Sequence, residues 1–300
     1  MRALVTGASG FIGTLVCAAL AREGHEVVAL VRSPARAPTG TRPAVGDLRD
    51  RDGLRALLAR ELPGCVIHLA AEIASQRDAR LVHEVNVGGT DHLLAACKQT
   101  SGVAPRFVFV STVVTGEAHG ALLTEEDPLP VTTPYGRSKQ ECERLVACSG
   151  LPAVVVRPSH VYGPGGWYAE ELVPRLRQPG RFAVIGSGAN LWDVVHVDDV
   201  VAAILLAAAS APPGSLYHVV DDEPITYYEF MATTARVAGV GAPRRIPTAL
   251  ARLLAGTNAV DAVVRSARSS NARIKRELSW QPRFATAAPG IADALARMPA

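Results

Sequence analysis

Residues 2 to 13 read RALVTGASGFIG, and this stretch decides the fold. Residues 2 to 6 are a short apolar run that predicts a strand, and Gly7, Gly10 and Gly13 follow it. From 14 to 23, Leu15, Val16, Ala19 and Leu20 recur at helical spacing. Gly24 ends that helix, and EVVALV (26 to 31) predicts a second buried strand. The result is a strand–turn–helix–strand unit whose glycines stand where a backbone must approach a pyrophosphate at a helix N-terminus. A glycine triplet alone is a common turn, but one set between a strand and a helix predicts a dinucleotide site. The expected fold class is α/β with a doubly wound parallel sheet.

An acidic residue at the end of the second strand would bond both adenosine ribose hydroxyls and signal NAD. Here Val31 is followed by Arg32 and, one turn on, Arg36. A guanidinium can pair a 2′-phosphate, so NADP(H) is the expected cofactor. NAD(H) is the alternative if Arg32 is only a solvated loop residue. Further on, Gly46-Asp47-Leu48 offers Asp47 as an acceptor for the adenine amino group. Residues 51 to 60 predict a helix with Leu54, Leu57 and Leu58 inward, and CVIHLAA (65 to 71) a third buried strand. That strand ends in small residues that let a flat cofactor lie close, and His68 within it reads as a satisfied core histidine. A helix over about 79–100 carries NVGGT at 86 to 90. Asn86 there either bonds backbone near the active site or is a plain helix residue.

RFVFVS (106 to 111) is the next predicted strand, with Ser111 at its C-terminal end. Ligands of doubly wound sheets bind at that edge, where a hydroxyl can hold a substrate oxygen. Thr112 is the adjacent candidate, but successive side chains of an extended segment point to opposite faces. TPYGRSK (133 to 139) then places Tyr135 and Lys139 four residues apart. Pro134 predicts a helix start, and a four-residue step returns both side chains to one face. Free tyrosine, with a pKa of about 10, is a poor acid or base near neutrality. An adjacent ammonium favours the phenolate, and bringing that value to about 7 needs roughly 4 kcal/mol. A positive nicotinamide ring could supply what one lysine does not. The chain has only three lysines, Lys98, Lys139 and Lys275, among 31 basic residues, which sets Lys139 apart from surface filler.

These pieces in order make the chain resemble an extended short-chain dehydrogenase/reductase, the group also called the NAD-dependent epimerase/dehydratase family. The carriers are TGASGFIG, GDL at 46 to 48, HLAA at 68 to 71, NVGGT, Ser111 and YGRSK. VRPSHVYGPGG (156 to 166), VVHVDDV (194 to 200) and LSWQP (278 to 282) follow downstream. The resemblance implies a Rossmann fold and a Ser-Tyr-Lys triad. Tyr135 would be the catalytic acid/base, Lys139 its pKa modulator and ribose ligand, and Ser111 the substrate-orienting hydroxyl. It places Gly7, Gly10, Phe11, Ile12, Asp47, Leu48, Leu69, Ala70 and Ala71 around the cofactor, and Pro158 near the nicotinamide. It further implies a homodimer, packed through helices near 79–100 and 135–149.

The expected dinucleotide-binding domain comprises 1–160 and 193–222, and the substrate lobe 161–192 and 223–300. AVVVRP (153 to 158) is expected to close the main sheet, and VVAAILLAAA (200 to 209) to be a buried helix. Members acting on nucleotide sugars usually carry an asparagine where this chain has His160, and a diphosphate-gripping arginine where it has Trp192. An indole with one N–H cannot replace a guanidinium, so Trp167, Tyr168 and Trp192 predict an aromatic-lined, apolar pocket unless they are lobe core. Thr112, His160, Trp167 and Trp192 are therefore the candidate substrate residues.

Bulk composition bounds the alternatives. Three hundred residues, 48% hydrophobic and 20% charged, can bury a large core. A net charge of +3 with scattered basic residues argues against nucleic acid. No apolar run is long enough to span a bilayer, and no signal segment precedes the first strand, so the expected location is the cytoplasm. The five cysteines, Cys17, Cys65, Cys97, Cys142 and Cys148, lack C-x-x-C spacing and read as reduced core residues. The eight histidines show no metal-ligand spacing, so no metal is expected. The expected function is interconversion of a ketone and a secondary alcohol on a fairly apolar small molecule. One alternative is a nucleotide-sugar epimerase, dehydratase or ketoreductase with the same triad. A remoter one is a non-catalytic NADP-sensing regulator, which would not be expected to keep Tyr135 and Lys139.

Overall fold

Alternation along each apolar strand sends side chains to both faces of one sheet, and this layering organises the molecule. In the first strand, Arg2–Thr6, Ala3 and Val5 face one core and Leu4 the other. The computed structural model describes residues 1–73, 76, 78–178 and 182–298. Its seven-stranded parallel sheet runs Leu216–Val219, Ala153–Pro158, Arg106–Val110, Cys65–His68, Arg2–Thr6, Glu26–Val31, Arg42–Val45. This is the doubly wound α/β arrangement. The chain builds outward from Arg2–Thr6 on one side, then returns to build from Cys65–His68 on the other. Those two neighbours therefore define the switch point, where a ligand crevice opens beyond the carboxyl ends of the strands.

One face is covered by the helices Phe11–Arg22 and Val197–Ser210, through Val16, Cys17, Leu20, Val200, Ile204 and Ala207. The apolar run from Val200 is thus a buried helix. The other face is covered by Arg51–Glu61, with Leu54, Leu57 and Leu58 inward as the spacing predicts, by Gly89–Lys98, and by Pro134–Ala147. A third cluster, around Tyr162, Tyr168, Trp192, Tyr227 and Phe230, gathers the 160–192 segment onto the later helices.

Two expectations need correction, and one expected helix holds an irregularity. Ala153–Pro158 does not close the sheet, because Leu216–Val219 pairs beyond it in parallel. The helix over 79–100 runs Ala79–Lys98 and contains a π-helical turn at Glu84–Gly88. Cys148 is exposed, whereas Cys17, Cys65, Cys97 and Cys142 are buried thiols. Cys148 is the C-cap of the Pro134–Ala147 helix, a terminal position outside its buried stripe. Among the described residues no helix is long and apolar enough to cross a membrane.

Candidate active site

The glycine turn meets the edge of the fourth strand at the switch point. Gly7 has φ +67°, and a side chain there would stand 2.7 Å from the Ala70 amide nitrogen. A Cβ on Gly13 would lie 2.1 Å from the Gly7 carbonyl oxygen, so only glycine lets the helix start this close to the turn. That helix begins at Gly10 with no side-chain cap and no acidic residue in its first turn. Its leading amides and positive dipole end are thus left for an anionic group. These residues fit a dinucleotide's pyrophosphate. The Phe11 ring lies under the GPGG loop, where a Cβ on Gly165 or Gly166 would come within 2.9 or 2.7 Å of it. Ile12 packs against the core, Leu48 is buried, and Leu69, Ala70 and Ala71 are half-buried along the crevice.

At the adenosine end, Arg32 is exposed and has no acidic partner within 4.0 Å among the described residues. Asp47 is held by Arg49 through bonds of 2.9 and 3.1 Å, which keep its carboxyl below the usual range.

The sequence reading missed the polar chain that links the crevice to the Tyr135 helix. Thr6 Oγ1 bonds His68 Nδ1 at 2.7 Å, and His68 Nε2 bonds Thr90 Oγ1 at 2.9 Å. Burial drives the imidazole down to about 3, so it is a neutral, satisfied core histidine. Thr90 Oγ1 donates to the Asn86 carbonyl inside the π turn. Asn86 accepts from the Glu72 amide (2.7 Å) and donates to the Glu72 carbonyl and to Ser138 Oγ, each at 3.0 Å. Ser138 Oγ in turn donates to the Tyr135 carbonyl at 2.8 Å. The π turn inserts a residue where Asn86 must reach both the loop and the neighbouring helix. Hydroxyls spaced along three separate elements leave no local pattern by which sequence could have linked them.

Thr133 caps the next helix by accepting from the Gly136 amide, and Pro134 occupies its first turn. Tyr135 is half-buried and Lys139 is 3% exposed. Lys139 Nζ donates to the Val110 carbonyl at 2.7 Å and sits 4.2 Å from the Phe109 ring centroid. Burial, with a smaller contribution from Cys142, pushes the Tyr135 phenol up to about 12, and burial brings the Lys139 ammonium down to about 8. The expected lowering of the phenol is therefore reversed in the protein by itself. Desolvation sets the state of the phenol, and the Lys139 ammonium donates to a backbone carbonyl.

Ser111 follows Val110. Its amide donates to the Val156 carbonyl, while its buried Oγ, in a residue 4% exposed, has no protein partner among the described residues. Thr112, beside it, is differently placed. Its hydroxyl donates to the Pro158 carbonyl (3.2 Å) and accepts from the Val114 amide (2.9 Å), and so is engaged within the protein. His160 stacks on Trp192 at 4.5 Å and 5°, with Nδ1 donating to the Asp193 carbonyl at 3.0 Å. Trp192 is 5% exposed and packs on Tyr227 and Phe230, which places it in lobe core rather than on an open wall. Trp167 is half-buried, its indole donating to the Val161 carbonyl at 2.8 Å.

The chain is 34% identical over 299 residues to a 3-diazoavenalumate denitrifying reductase of Streptomyces sp, covering 94% of this chain and 96% of that one. It is 32% identical to a 2-alkyl-3-oxoalkanoate reductase of Stenotrophomonas maltophilia, over 81% of this chain and 77% of the relative. A solved dTDP-glucose 4,6-dehydratase from Streptomyces venezuelae with NAD bound superposes with a TM-score of 0.84 at 26% identity, covering 99% and 96% of the two chains. The model of the NAD dependent epimerase/dehydratase family matches residues 3–219, the whole span from the glycine turn through the last sheet strand. With relatives named as reductases and dehydratases on the same frame, this is an oxidoreductase that belongs to the NAD dependent epimerase/dehydratase family.

Proposed function

We propose that the protein interconverts a ketone and a secondary alcohol on a small molecule, with Ser111, Tyr135 and Lys139 as its catalytic groups. The observation that carries this reading is the Ser111 hydroxyl. It is buried, without a protein partner among the described residues, and sits at the strand edge that also supplies the Val110 carbonyl to Lys139. A buried hydroxyl left unpaired costs about 1–3 kcal/mol, which a substrate oxygen bonded there would recover. When bound, the nicotinamide supplies the hydride. Ser111 holds the carbonyl oxygen, Tyr135 gives it a proton, and Lys139 steadies the phenolate left behind. Gly7, Gly10, Phe11, Ile12, Gly13, Asp47, Leu48, Leu69, Ala70, Ala71, Asn86 and Pro158 line or brace the cofactor site. The relative named for 2-alkyl-3-oxoalkanoate supports a ketone substrate. Trp192, standing where a diphosphate-gripping arginine would be, weighs against the nucleotide-sugar reading. The 160–192 segment with the later helices serves as the substrate lobe, and the helices Ala79–Lys98 and Pro134–Ala147 are the proposed homodimer face.

Mixing the protein with NADPH, and separately with NADH, and a panel of aryl, cyclic and long-chain ketones should give substrate-dependent loss of absorbance at the reduced nicotinamide band. UDP-glucose and dTDP-glucose should give none. Turnover of the sugar nucleotides alone would overturn the reading.

Arg32 makes NADP(H) the preferred cofactor in this proposal. Its guanidinium is exposed and free of acidic partners among the described residues, just after the strand Glu26–Val31, where the adenosine ribose would lie. Arg32→Asp should shift the NADPH/NADH ratio of kcat/KM toward NADH by about 10- to 100-fold, the value of one or two charge-assisted bonds. An unchanged ratio would remove Arg32 from phosphate recognition.

A further inference from the structure

The most anomalous charge in the molecule is Arg265. It is 4% exposed, yet no carboxylate lies within 4.0 Å of its guanidinium among the described residues. Its side chain makes one hydrogen bond there, from Nη1 to the Gly116 carbonyl at 3.0 Å, and Nε is buried without a partner. Asp193 and Glu117 are near enough to feel its charge but do not pair with it. Buried guanidinium groups are normally paired, because an uncompensated charge in the interior is strongly destabilising. The Nε edge is also the edge by which arginine takes a carboxylate in two parallel bonds.

The position of this charge is informative. Gly116 lies five residues after Ser111, and His160, whose imidazole also feels the Arg265 charge, lies two residues after Pro158. Arg265 is thus tied to the loop that follows Ser111, in which the Thr115 carbonyl lies 2.9 Å from where a Cβ on Gly136, the neighbour of Tyr135, would stand. Its backbone is clamped from both sides. Asn190 Nδ2 donates to the carbonyls of Val263 (3.1 Å) and Arg265 (2.9 Å), and the Trp192 indole donates to Val263 at 3.0 Å. On the other side, the Ser266 amide donates to both Glu117 carboxylate oxygens at 3.0 and 3.1 Å. Trp192 thus acts as a prop for the segment that carries Arg265. Such bracing is what a pre-organised binding group requires, since an arginine fixed beforehand loses little entropy when it engages its ligand.

We infer that Arg265 receives a carboxylate on the substrate, so that the ketone reduced here is borne by an organic acid. The inference rests on the proposed ketone chemistry for its placement of the substrate. One guanidinium presenting its Nε edge matches a single carboxylate in two parallel bonds better than it matches a diphosphate.

The test compares 4-acetylbenzoate and 3-oxodecanoate with their methyl esters, in wild type, Arg265→Gln and Arg265→Lys, with NADPH and NADH. In wild type, kcat/KM should favour each acid over its ester by at least about tenfold, the value of a charge-assisted pair. Arg265→Gln should abolish that preference by lowering acid turnover about tenfold more than ester turnover, and Arg265→Lys should keep part of it. Equal use of acid and ester by wild type would overturn the inference and leave ketone reduction standing. That comparison does not depend on how well the variants fold. If no ketone is turned over, the ketone reading fails, and calorimetric titration with trans-cinnamate decides the anion site separately. Binding in wild type that Arg265→Gln weakens by tenfold or more supports the site. Absence of binding in wild type, or Arg265-dependent binding of UDP-glucose in place of cinnamate, overturns it.

Discussion

Tyr135→Phe is expected to lower kcat for ketone reduction by about 10²- to 10⁴-fold, the usual contribution of a positioned general acid, while cofactor affinity changes little. The hydroxyl is the only group removed, and the helix that carries it keeps its Thr133 cap and its buried face. Burial holds this phenol at about 12, two units above its ordinary value, which disfavours the phenolate by about 3 kcal/mol. A group in that state is fully protonated near neutrality and suits proton donation. Working in the opposite direction it would have to ionise, and bringing it from about 12 to neutrality takes about 7 kcal/mol. In the protein by itself the phenol therefore stays protonated near neutrality, and a bound cation beside the ring would make its ionisation for alcohol oxidation less costly. Steady-state assays of Tyr135→Phe with ketone and NADPH, alongside fluorescence titration of NADPH, check both halves. Undiminished turnover would remove Tyr135 from the chemistry.

Lys139→Met is expected to have the second largest effect and to leave a signature in pH. The ammonium, brought down to about 8 by burial, is charged at neutral pH and becomes neutral as pH rises through that value. The phenolate formed when Tyr135 gives up its proton then loses its positive neighbour, so wild-type kcat should decline above about pH 8. The methionine variant should be slower by about tenfold or more throughout and show no such decline, each pKa unit of lost support being worth a factor of ten. Stability should change in a defined direction as well. The folded value, about 8, lies below the ordinary 10.5, so between these limits the unfolded chain binds more protons and stability rises with pH. Below pH 8 the cost of burying the ammonium is present in full, about 3 kcal/mol, partly offset by the bond to the Val110 carbonyl. Denaturant melts from pH 7 to 10 should show that slope in wild type and lose it in Lys139→Met. A flat wild-type profile would mean that Lys139 is solvated or paired.

The glycine turn, the alternating apolar strands, and the four-residue step from Tyr135 to Lys139 are local patterns. A strand, a tight turn or a helix face is set by residues close together in the chain, so sequence alone determined the α/β frame and the place of the nucleotide turn. It also marked Ser111 at a strand end, because strand ends are local too. Other features depend on which distant segments meet. The π turn at Glu84–Gly88 exists because Asn86 must reach Glu72 and Ser138 together. The phenol and ammonium are shifted by how deeply the surrounding elements bury them, and burial cannot be read from a spacing of four. Trp192, expected on a pocket wall, became a core residue bracing Val263, and Arg265, unremarkable in an arginine-rich stretch, became a buried cation with no ion-pair partner among the described residues. Desolvation and hydrogen-bond completion are properties of the assembled interior, so tertiary structure alone decided the electrostatics of this site.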